Sequence, residues 1–91
     1  MKNCITVTNS LDCFALVNGT SLLYSYLGDR NPVVEEVFLP MNLNDAESMD
    51  CDSQSRFICV YGKSYVHVLI LPNREVGSGL TFSQKNSIRV V

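Results

Sequence analysis

The sequence predicts an all-β fold, a small antiparallel barrel or sandwich of about six to seven strands built around two tight hairpins. Three observations predict it. Two short glycine-bearing turns, Asn18-Gly19 and Gly62-Lys63, each lie between runs rich in β-branched and aromatic residues. No segment repeats its apolar residues at helical spacing over three turns. The chain has 91 residues, 46% of them apolar, which suits one domain spanning 1–91 with a modest core and little disorder.

Residues 5–8 read as a short strand that pairs with 13–17 through a turn from Asn9 to Asp12. The segment 13–17 then joins 20–27 through Asn18-Gly19, the preferred pair for a two-residue type I′ loop. A two-residue loop puts Phe14, Leu16, Leu23 and Leu27 on one face with Ser21 and Ser25, a pattern suited to a core. It puts Ala15, Val17, Leu22, Tyr24 and Tyr26 on the other, where tyrosines offer an apolar body and a polar tip to a partner or to water.

After the loop Gly28-Asp29-Arg30-Asn31-Pro32, residues 33–39 form a further strand, although Glu35-Glu36 breaks its alternation and Pro40 ends it. Residues 42–55 read as one long acidic loop, with Asp45, Glu47, Asp50 and Asp52 and no basic residue. At most it holds a single helical turn capped by Asn44. The second hairpin pairs 57–61 with 64–71 around Gly62-Lys63. Its one face carries Phe57, Cys59, Val66, Val68 and Ile70, its other Ile58, Val60, Tyr65, His67, Leu69 and Leu71. Both are apolar, whereas an antiparallel sheet normally leaves one face polar for water. Residues 80–82 and 88–91 are short terminal candidates, the latter an edge able to accept a strand.

The hairpins echo each other, since Phe14, Val17, Gly19 and Ser21 recur 43 positions later as Phe57, Val60, Gly62 and Ser64. Duplication and coincidence both fit so short a match.

Composition marks down several functions. Charged residues are 18% of the chain, net charge is −2, and the seven basic residues are dispersed, so nucleic acid is an unlikely partner. No apolar run approaches the roughly 20 residues of a membrane-spanning helix. No signal peptide is visible, so residence in the cytoplasm or nucleus is expected. On that expectation Cys4, Cys13, Cys51 and Cys59 are thiols rather than disulfides, and Asn18-Gly19-Thr20 is a turn rather than a glycosylation site.

Catalytic and metal chemistry find little support. His67 is the only histidine and sits mid-strand, with Cys59 expected on the opposite face. The cysteine spacings are too long for a zinc knuckle, the acidic segment lacks the calcium-loop pattern, and Gly77-Ser78-Gly79 matches no phosphate loop. No enzyme, metal or cofactor is therefore expected. The favoured reading is a small non-enzymatic protein-interaction module that self-associates, or binds another protein, through an apolar, tyrosine-bearing sheet face. The residues expected to carry it are Tyr24, Tyr26, Tyr65, His67, Val68 and Leu69. The alternative is a small β-barrel that binds a lipid, another apolar ligand or a nucleic-acid strand through Tyr24, Tyr26 and Tyr65. Low lysine with abundant valine, serine and asparagine also suits a viral or phage accessory protein.

Overall fold

At the first hairpin, Asn18 and Gly19 both adopt positive φ, 56° and 72°, as a type I′ turn requires. Thr20 N–H donates to the Val17 carbonyl at 3.3 Å, closing the turn. Strand pairing resumes one residue later than the sequence predicts, at Val17↔Ser21, so Thr20 is a third loop residue. The tip is held from outside. The Gly19 carbonyl accepts the Leu43 N–H and the Thr20 carbonyl the Leu39 N–H, each at 2.7 Å.

That extra residue exchanges the two faces of the following strand, because side chains alternate with a period of two. Leu22 and Tyr24 turn inward opposite Leu16 and Phe14, while Leu23 turns outward opposite Ala15. The expectation that Tyr24 stands on an outer face is thereby corrected.

The computed structural model describes residues 3–71 and 89–91, and the expectations for 80–82 and for Gly77-Ser78-Gly79 lie outside these. The described residues form eight strands and no helix: β1 (Cys4–Val7), β2 (Asp12–Val17), β3 (Ser21–Tyr26), β4 (Glu35–Phe38), β5 (Ala46–Cys51), β6 (Phe57–Gly62), β7 (Val66–Ile70) and β8 (Arg89–Val90). They make two four-stranded antiparallel sheets, β1-β2-β3-β4 and β5-β6-β7-β8, with β1 beside β5 at one margin. The fold is sandwich-like rather than a closed barrel.

The long acidic loop expected at 42–55 is corrected by β5, which pairs with β6 from Ala46↔Gly62 to Cys51↔Ile58. A bulge between Ala46 and Ser48 explains why alternation does not reveal this strand. It brings Ala46 and Met49, three residues apart, to the same buried side, while Glu47 and Asp50 stay exposed. Leu43, just before β5, is also buried, and its carbonyl accepts the Ala46 N–H at 3.0 Å.

In the second hairpin the loop is Lys63-Ser64, not Gly62-Lys63, with Tyr61↔Val66 as the last strand pair and Gly62 N–H donating to the Tyr65 carbonyl at 2.9 Å. Gly62 serves close packing rather than turn geometry, because a Cβ there would run into the Tyr65 ring. The register moves by two residues, so every side chain keeps its expected face. Ile58, Val60 and Leu69 point inward and are fully buried with Phe14, Leu16 and Leu22 from the first sheet.

The motif echo does not match structural position. Phe14 is fully buried, whereas its counterpart Phe57 is 40% exposed on the outside of its sheet. What repeats is the topology, a four-stranded meander on each side.

Candidate functional site

The outer face of the second sheet can be read from its pairing. Asp50, Cys59 and Val68 form one row, Phe57, Ile70 and Arg89 another, and Tyr61 lies opposite Val66. Val91 continues the Val68 row through reciprocal backbone hydrogen bonds of 2.8 and 3.0 Å. Since alternate residues fill the core, this face carries the remaining apolar side chains outward. Phe57 is 40%, Tyr61 39%, Val66 57% and Val91 68% exposed. A shallow open cavity of about 310 Å³ lies among Asp50, Cys51, Asp52, Phe57, Cys59 and Val68.

One corner of the face is rigidly built. The Asp52 carboxylate accepts hydrogen bonds from the N–H groups of Arg56 and Phe57, at 2.6 and 3.0 Å, and from Arg56 Nε at 3.0 Å. Partial burial pushes its pKa up, but these donors and the guanidinium charge outweigh it and hold the carboxyl below its usual range. The same guanidinium lies 5.4 Å from the centre of the Phe57 ring. Burial first, then the neighbouring Asp52 charge, pushes the Cys51 thiol up to about 11. Cys51 is thus a protonated, weakly nucleophilic thiol near neutrality.

The residues expected from sequence to form the site are scattered. Val68 is half-buried on the outer face. Leu69 is its inward neighbour and fully buried, so it is a core residue. Tyr24 is 3% exposed and donates to Asp12 Oδ1 at 2.7 Å. Tyr26 is half-buried against the core, its ring folded over Gly28. Tyr65 and His67 lie with their rings 4.8 Å apart, and His67 Nδ1 donates to the Val91 carbonyl at 3.1 Å. The Tyr65 hydroxyl is buried without a hydrogen-bond partner. The outer face therefore brings together Val68 with Phe57, Cys59, Tyr61, Val66 and Ile70, while Tyr24, Tyr26 and Tyr65 belong to or pack against the core instead.

All four cysteines are free thiols. Among the described residues no group of three or more His, Cys, Asp or Glu side chains is arranged to hold a metal ion, and no helix is long and apolar enough to cross a membrane. A buried polar link that sequence reasoning missed joins the two halves. Asp12 is fully buried and accepts from Tyr24 through Oδ1 and from Ser55 Oγ through Oδ2, both at 2.7 Å. No local pattern announces a contact between residues 43 positions apart.

The first sheet also exposes apolar residues, notably Ile5, Val7 and Phe38. Its outer face also carries the charged Glu36, opposite Leu23, while Ser21 and Ser25 on the same side are buried. The second face is apolar across its middle strands.

Comparison of the chain with protein-family models, with curated proteins and with solved structures returns no match.

Proposed function

We propose that this chain is a small non-enzymatic protein-interaction module that associates with its own kind through the outer face of the second sheet. One observation carries the reading: Phe57, Cys59, Val68 and Ile70 make an unbroken apolar surface across β6 and β7, bordered by exposed Tyr61 and Val66. Such a surface gains by leaving water, at about 25 cal/mol per Å² of apolar area. Four strands of about five residues span about 19 by 17 Å. That is about 320 Å² per copy, well below the roughly 800 Å² per partner of a standard interface, so the association is weak and concentration-dependent.

Binding of a small apolar ligand has less support. The cavity of about 310 Å³ is open and sits outside the sheet, and Tyr24 is committed to the core.

Sedimentation of the 10.1 kDa chain under reducing conditions, over a wide concentration range, tests the proposal. The expected result is an average mass that climbs from monomer towards dimer. Val68→Asp places a charge in the middle of the face without touching the core and holds the chain monomeric with an unchanged far-UV spectrum. A wild-type chain that stays monomeric at every concentration would refute the reading.

A further inference from the structure

We infer that the second copy is turned about a twofold axis parallel to the strands, so that β5 of each copy lies over β8 of the other. This rests on the outer face being the self-association surface and adds its geometry. A closed pair using one face twice needs a twofold axis in the plane of contact. Two orientations are natural, across the strands or along them. An axis across the strands lays β5 on β5 and β8 on β8. An axis along them exchanges the two margins.

The charges on the margins choose between these. On β5, Asp50 is exposed on the outer face, with Asp52 just beyond the strand and Glu47 exposed near its start. On β8 the outer face carries Arg89, also exposed and paired in register with Ile70. The middle rows between the margins, Phe57, Cys59, Val68 and Ile70, are uncharged. The β5 margin therefore carries Asp50 and the Asp52–Arg56 ion pair, with Asp50 its uncompensated charge, and the β8 margin carries Arg89. Stacking β5 on β5 sets Asp50 against its own copy and Arg89 against its own copy, and like charges facing each other oppose association.

Turning the copy about the strand direction sets the β5 margin over Arg89 at both ends of the interface. Asp50 and Arg89 lie in adjacent rows, about 7 Å apart along the strand direction, within reach of an arginine side chain. Asp52 lies in Arg89's own row, although it is already engaged by Arg56. Lys63, at the hairpin tip, projects beyond the strands and does not distinguish the axes.

The test uses the full chain and reads the dimer dissociation constant by sedimentation at low salt, where surface charges are least screened. Arg89→Asp and Asp50→Arg are each expected to weaken the dimer about tenfold or more, because symmetry turns two attractive pairs into two repulsive ones. The double variant carrying both changes restores attraction at both margins and returns the constant to near the wild-type value. Net charge alone predicts something else, since one single variant adds negative charge and the other removes it, moving the two in opposite directions.

If both single variants dimerise as the wild type does while Val68→Asp remains monomeric, the face is right and the axis is wrong. Failure of the double variant to recover also overturns the axis. A wild-type monomer removes both conclusions together.

Discussion

Replacing Asp12 with alanine is the substitution whose cost can be worked most directly from the structure. The carboxyl is fully buried at the start of β2 and accepts hydrogen bonds from Tyr24 on β3 through Oδ1 and from Ser55 ahead of β6 through Oδ2. Tyr24 and Ser55 are themselves 3% and 2% exposed, so neither hydroxyl has ready access to water once its acceptor is gone. Losing the acceptor of a buried hydrogen bond costs about 1–3 kcal/mol, and two such losses place Asp12→Ala at about 2–6 kcal/mol. Native stability runs to roughly 0.05–0.15 kcal/mol per residue, or about 5–14 kcal/mol at this length, so the loss takes a large part of the total. Asp12→Asn should cost less, because its amide keeps one acceptor and can donate to the Ser55 oxygen. Urea unfolding followed by far-UV circular dichroism gives both numbers. A loss below about 1 kcal/mol for Asp12→Ala would refute the view that this carboxyl ties the two sheets together.

Gly19→Ala should destabilise by about 2–3 kcal/mol in the same assay. Its φ of +72° is unfavourable for any side chain, and a Cβ would lie 2.7 Å from the Asn44 nitrogen and 2.8 Å from Asn42 Oδ1. For Cys51, raised from 9.0 to about 11, the folded and unfolded chains are equally protonated below pH 9. Between pH 9 and 11 the unfolded thiol ionises first, so wild-type stability falls across that window, and Cys51→Ser should flatten the decline. Deleting Thr20 keeps the Val17↔Ser21 pair on an ideal two-residue loop but removes the acceptor for the Leu39 N–H, for a net loss of about 1–2 kcal/mol. A gain in stability on deletion would show that the tip contacts do not account for the third loop residue.

The fold class and both hairpins were legible in the sequence because turn residues and strand residues agreed at each site. Faces were legible only where the error in register was even. In the second hairpin the loop moved from Gly62-Lys63 to Lys63-Ser64, a two-residue change in register, and Ile58, Val60 and Leu69 still pointed to the core. In the first, one added residue reversed β3, sending Tyr24 inward and Leu23 outward. What added that residue is contact with Leu39 and Leu43, which lies far outside the hairpin and leaves no mark within it. β5 was hidden for a different reason. The four acidic residues in and beside it and its bulge made Ala46 and Met49 look unpatterned, although both are buried.

The candidate face was legible in part. Two apolar sides on one hairpin left one side to be covered either by a partner or by another segment of the chain. Periodicity could not say which side that was, because tyrosine and histidine fit an outer face as well as a packed one. The sandwich decides it: Leu69, Ile58 and Val60 are needed opposite the first sheet, so Phe57, Val66 and Val68 are what remains outside. The same argument explains why the two meanders are not interchangeable. Glu36 in β4 puts a charge on the first sheet's outer face beside Leu23, whereas Val68 and Ile70 occupy the third strand of the second. Similar topology has thus produced two outer faces of different composition. The difference lies in which residues the register leaves on the outside rather than in the strands themselves.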